Sequence, residues 1–263
     1  MADFVHFMDT HSWGTLVLIF ASLSLAAFLG KFTWGRSFSR NAASDEELKI
    51  VLGATLSLFG LLIGFLLSIA IGGYNTRVAA EEDEAIAIGT ALQRTTLLHE
   101  HHQGQAKELL LSYLQLRTQF FKTSDNQARE KIRMESIQMQ TRMWMLMSTI
   151  AKANPDPILA MALNACNDLY TAQQKTLASW RKQVPGTAWA ILLVFGLCSN
   201  FLIGYNVRGQ QGGNRLIFVI PAITALALFM IAEIDVPGKG IIHVTPDNLQ
   251  ALRVTLSHGG LMP

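Results

Sequence analysis

Four stretches of the chain carry no charged side chain: Ser12–Gly30, Ile50–Thr76, Gln183–Val207 and Leu216–Ala232. A hydrocarbon core of about 30 Å is crossed by roughly 20 apolar residues in a helix rising 1.5 Å per residue, so each stretch predicts a membrane span. Trp13 and Trp34 flank the first at the positions of interfacial anchors. Ser44 and Glu47 form a capping box, placing the start of the second span's helix near Asp45. Pro221 lies inside the fourth and predicts a kink.

Between the second and third spans, Arg77 to Lys182 is polar, with apolar positions recurring at helical spacing. Val78, Ala85, Ile88 and Leu92 share one face, and Leu109, Tyr113, Leu116 and Phe120 another. Ser124 opens a helix bearing Ile132, Met139, Met143, Leu146 and Ile150. Asp156 and Pro157 give the cap and first-turn proline of the next, with Leu159, Leu163, Cys166, Tyr170, Leu177 and Trp180. Gly104, Thr123–Ser124 and Asn154–Pro155 mark the breaks. These four helices predict a bundle outside the bilayer, its first and last members continuing the flanking membrane helices. After the fourth span, Thr245–Pro246 are expected to cap a short amphipathic helix with Leu249, Leu252 and Leu256. The expected fold is all-α: a polytopic membrane protein of four transmembrane helices with an inserted extramembrane helical bundle. Its expected divisions are 1–76, 77–182, 183–233 and a tail, 234–263.

Composition agrees. Half the residues are hydrophobic and 15% are charged, against about 25% in soluble domains. The net charge of +2 selects no partner, and no basic stripe with aromatics points to nucleic acid. Cys166 and Cys198 make no disulfide framework and read as small buried hydrophobes. No positive segment precedes the first span, which disfavours a cleaved signal peptide. The short loops hold six Lys or Arg and the N-terminus none, which favours termini, and with them the bundle, outside the cytoplasm. The membrane is expected to be the cell's inner or plasma membrane.

The second span holds most of the candidate chemistry. Gly60, Gly64, Ser68 and Gly72 recur at every fourth position, a strip that lets another helix backbone approach closely. It serves packing within the chain or assembly between chains. Leu58, Leu62, Phe65 and Ile69 lie on a face that meets lipid or a pore. Beyond the span come Glu81, Glu82, Asp83 and Glu84. Four consecutive residues cover every side of a helix, so at least one faces inward, the others forming a solvated face or an acidic mouth that concentrates cations. Glu84 is the expected inward residue, within reach of Arg77.

Elsewhere, chemistry is sparse. His99, His101 and His102 read as a surface helix end, short of the three or four converging ligands zinc needs. Met134, Met139, Met143, Met145, Met147 and Met161 read as core fillers, Asn200 as an interhelical hydrogen bonder, and Asp235 as the holder of the turn that follows it. No nucleophile–base pair, phosphate loop or paired-carboxylate motif stands out, so an enzyme is not expected, nor a metal or cofactor.

Two sets of residues carry a resemblance. Ile63-Gly64-Phe65-Leu66-Leu67-Ser68-Ile69 followed by Tyr74 resembles the second helix of bestrophins, the pentameric anion channels. Gly60 to Arg94, with Glu84, Ala85, Ile88, Gly89, Thr90 and Arg94 in one run, and Asp235-x-Pro237-x-x-Gly240 with Pro246, resemble the bacterial bestrophin-like domain family of membrane proteins. That resemblance implies a homo-oligomer, by analogy a pentamer, with an apolar neck at Leu61 and Phe65. This chain departs from bestrophins in lacking the proline before the neck and in having Gly73 before Tyr74.

The sequence therefore predicts an oligomeric ion channel or pore lined by the second transmembrane helix. Leu61 and Phe65 form its constriction, and Glu81, Glu82 and Glu84 stand at one mouth. Its partners are the lipid bilayer, inorganic ions and further copies of itself. The alternative is a non-conducting membrane scaffold or sensor that binds a partner through its bundle.

Overall fold

A computed structural model describes residues 12–33, 42–153, 155–207, 216–238 and 240–258. Trp34, the basic residues Arg36, Arg40, Arg208 and Arg215, the glycine-rich turn at 209–214 and the break at Asn154 lie outside these. Among the described residues the regular structure is helical: α1 (Ser12–Thr33), α2 (Ala42–Arg94), a 3₁₀ turn (Thr95–Leu97), α3 (Glu100–Lys122), α4 (Asn126–Ala153), α5 (Pro157–Arg181), α6 (Gly186–Asn206), α7 (Leu216–Asp235) and α8 (Asp247–Ser257). Four runs are long and apolar enough to cross a membrane: Trp13–Phe32, Glu46–Leu97, Pro157–Asn206 and Ile217–Asp235. The all-α, four-span fold expected from the charge-free stretches is the fold observed.

The chain forms two compact units. The first comprises Met1–Gly72 and Gln183–Ile242, the second Gly73–Lys182 and His243–Pro263.

In the first unit, Ile19 and Leu23 of α1, Phe59, Leu66 and Ala70 of α2, Leu192 of α6, and Ala225, Leu228 and Ile231 of α7 form the core. α1 and α6 approach closely at two glycines. A Cβ on Gly30 would lie 2.0 Å from the Phe201 carbonyl oxygen, and one on Gly204 1.8 Å from that of Ala27. Such backbone contact is what small residues supply in lipid. A groove of about 640 Å³ runs along the same pair, lined by Leu25, Leu29, Leu197, Cys198, Phe201 and neighbours. Pro221 stays inside α7.

Several local expectations are corrected. Asn200 is buried, but its amide donates to the Gly196 carbonyl of its own helix (2.8 Å) rather than across to another. Asp235, expected at the turn that follows it, also reaches back along the chain. It accepts from the Val184 peptide N–H (2.9 Å), fixing the entry to α6. Glu233 spans the same turn, accepting from the Ile241 peptide N–H (2.6 Å). Gly240 sits there at φ +81°, where a Cβ would meet the Glu233 carboxylate.

The second unit is the bundle, built from the later half of α2 with α3, α4, α5 and α8. Ile88, Leu92, Leu110, Tyr113, Leu114, Phe121, Met143, Leu169, Leu249 and Leu252 lie at its centre. Its first break falls at Thr95–His99, not at Gly104, which lies within α3. The hydroxyls of Thr95 and Thr96 bond back to Leu92 and Gln93, tightening the last turn of α2. Leu98 is then extended, and Gln103 donates to its carbonyl. Asp125, not Ser124, caps α4, accepting from the Ala128 peptide N–H (2.8 Å). Asp156 caps α5 as expected (2.9 Å to the Ile158 peptide N–H). α5 does not continue into α6: the helix stops at Lys182, ahead of Pro185, because a residue before proline is held out of the helical region. Met143 and Met147 are core, whereas Met134, Met145 and Met161 are exposed.

Candidate functional site

α2 carries the candidate residues, and its periodicity decides where each goes. In the first unit its inward face is Phe59, Leu66 and Ala70. At 100° per residue, the arc opposite them holds Gly60, Leu61, Gly64, Phe65, Ser68 and Gly72, all exposed. Leu61 is 56% and Phe65 58% exposed. A Cβ built on Gly60, Gly64 or Gly72 meets nothing within 4 Å. Close approach within the protomer is made by Gly30 and Gly204 instead, whereas a Cβ on Gly60 or Gly64 would enter open space.

In the second unit the inward face of α2 runs through Arg77, Glu81, Glu84, Ala85, Ile88 and Leu92, with Val78 at the surface. Each acidic residue has a different fate. Glu84 is wholly buried. Its Oε1 accepts from Arg117 Nε and from the Tyr113 hydroxyl (3.1 Å), and its Oε2 from Arg117 Nη2 (3.1 Å) and Thr176 Oγ1 (2.9 Å). The expected partner, Arg77, points elsewhere, donating to the Lys182 carbonyl (3.4 Å). Burial works against the charge on Arg117, and the Glu84 carboxylate and the Tyr113 hydroxyl together more than offset it, holding the guanidinium above its ordinary value. Burial first, and the Glu84 charge second, push the Tyr113 hydroxyl well above its usual range. The network reaches α4 through Gln140 Nε2, which donates to the Tyr113 hydroxyl (3.0 Å) and the Leu169 carbonyl (3.3 Å).

Glu81, 1% exposed, accepts from the Leu249 peptide N–H (2.9 Å) and from Asn248 Nδ2 (2.7 Å), and so caps α8. Asp83 pairs with Lys175 at the surface (3.3 Å). Glu82 is exposed. Of the three carboxylates expected at a mouth, two therefore bind within their own chain and Glu82 faces solvent. Arg94 donates to the Met161 carbonyl (3.0 Å), tying the end of α2 to α5.

The sequence reading missed Arg117. Its signal was a basic residue on the apolar stripe Leu110, Tyr113, Leu114, Phe120 and Phe121, where a charge persists only with a buried partner.

Comparison with known proteins agrees with this layout. No curated protein matches the chain. A crystal structure described as that of a membrane protein carrying a point substitution matches over 95% of this chain and 98% of its own, with a TM-score of 0.60 at 14% identity, a likeness of fold. The family described as Bestrophin-like domain matches residues 17–249. This match spans most of the chain, including the run from Glu84 to Arg94, and the chain belongs to the Bestrophin-like domain family.

Proposed function

We propose that this chain is the protomer of an oligomeric ion channel lined by the membrane part of α2. Leu61 and Phe65 form the apolar constriction, gating by dewetting. Glu82 supplies the solvent-facing carboxylate of one mouth. The observation that carries this reading is the open arc of α2. Gly60 and Gly64 have open space around them, and Leu61 and Phe65 are more than half exposed beside them. Membership of the bestrophin-like family supports it. The test is particle imaging in detergent or nanodiscs, followed by single-channel recording. A closed ring of four or more subunits with α2 nearest the axis is expected, and Phe65→Ser should raise conductance. A monomer or simple dimer leaves no axis to line and overturns the proposal.

One observation favours a second reading, a non-conducting scaffold or sensor. Met134, Trp144 and Met145 of α4 are exposed on the bundle, where a partner would bury them. In that case Phe65→Ser would change stability without producing any current.

A further inference from the structure

α8 has no cap of its own. Its N-cap residue is Pro246, which makes no side-chain bond, and the Thr245 hydroxyl is turned to the Asp247 carboxylate (2.7 Å). The cap comes from Glu81, on α2. The rest of α8's hold is small: Val244, Leu249 and Leu252 are buried, Lys122 of α3 reaches Gln250 Oε1 (3.3 Å), and Asp247, Arg253 and Val254 face solvent. A helix of eleven residues does not persist alone in water. Docking and helix formation are therefore one event, with two states.

We propose that α8 is a proton-sensitive clasp, closed around Glu81 and tightening as the surroundings become acidic. Among the described residues, the donors to the Glu81 carboxylate are the peptide N–H groups of Leu249 and Asn248 and the Asn248 side-chain amide, all neutral. Contrast Glu84, three residues on and equally buried, which has a guanidinium. A carboxylate stripped of water without a cation favours its protonated form. Burial accordingly pushes Glu81 above the ordinary carboxylate value; its hydrogen bonds to Leu249 and Asn248 act against this and the charge of Asp247 with it.

When α8 is undocked, Glu81 is solvated and titrates normally. When α8 docks, the carboxyl binds its proton more tightly. Docking thus takes up a proton. The added stability is complete below the ordinary carboxylate value and is lost as pH rises through the raised one. The other charged groups around Glu81 are accounted for. Arg77 donates to the Lys182 carbonyl and contributes nothing resolved at Glu81, and Glu84 is paired with Arg117. Asp83 is bound to Lys175 and Lys122 to Gln250, while Glu82, His243 and Asp247 are exposed.

The test is amide hydrogen exchange over Leu249–Thr255 in the full-length protein in nanodiscs, corrected for the intrinsic pH dependence of exchange. Wild-type protection should rise as pH falls from about 8 to about 4, through the carboxylate range. Glu81→Gln keeps an acceptor for the Leu249 peptide N–H and should be protected but insensitive to pH. Glu81→Ala should lose protection in α8 while α3 and α4 stay protected. Asp247→Asn and His243→Gln should keep the wild-type slope. A flat wild-type profile, a slope that survives in Glu81→Gln, or one abolished by Asp247→Asn or His243→Gln overturns the proposal.

Discussion

Glu84 and Arg117 form an ion pair with neither side chain exposed, joining α2 to α3 inside the bundle. Removing one partner of such a pair strands the other charge, at a cost of about 3–5 kcal/mol. Glu84→Leu and Arg117→Leu should each lower the denaturation midpoint sharply. The double substitution should regain much of the loss, because no charge is then left unpaired. A double variant as unstable as the two single losses added together would show that the residues are not coupled.

Asp235 anchors the segment ahead of α6 through its Oδ1, which accepts from the Val184 peptide N–H. Asp235→Asn retains that acceptor. Asp235→Ala leaves the buried N–H unpaired, worth about 1–3 kcal/mol. Faster hydrogen exchange at Val184 in the alanine variant, but not in the asparagine variant, is the expected pattern.

Glycines in the first unit should respond in opposite ways to alanine. At Gly204 the new Cβ would collide with the Ala27 carbonyl, forcing α1 and α6 apart. At Gly64 it meets open space, and alanine exceeds glycine in helix propensity by about 1 kcal/mol. Gly204→Ala should unfold at lower temperature in detergent, whereas Gly64→Ala should match or exceed wild type.

The two cysteines differ in setting, and Cys166 offers a check on the second unit. Cys198 is exposed and lines the groove along α1 and α6. Cys166 is partly covered in the bundle, and burial pushes its thiol up to about 11. Thiolate is the reactive form, so at about pH 8 roughly one Cys166 in a thousand is reactive. A small maleimide should leave Cys166 untouched at that pH until the bundle is denatured. Modification of Cys166 in native protein should set in only as pH approaches its raised value.

The four spans and the helical insert were legible because charge-free runs and apolar spacing depend on local sequence alone. The exposure of Phe65 followed from the same periodicity. What was not legible depends on partners far away in the chain. Arg77 and Arg117 are both arginines on helices, and nothing local says which one Glu84 will meet. Glu81 resembles its acidic neighbours, yet it caps a helix that begins 166 residues later. Gly104 looks like a break, but an exposed glycine costs a helix little, and the chain turns where Thr95 and Thr96 bond back on α2.

The separation between the glycines used inside the protomer and those left open on α2 has a genetic consequence. Substitution at Gly30 or Gly204 damages the protomer itself, so its product is cleared before meeting another copy. Substitution at Gly64 leaves a well-folded protomer. If α2 lines a shared axis, that protomer enters mixed rings with wild-type chains and spoils them. Expressed beside the normal gene, the first kind of allele should behave as recessive and the second as dominant, a difference that a growth or flux assay in cells reads without purifying anything.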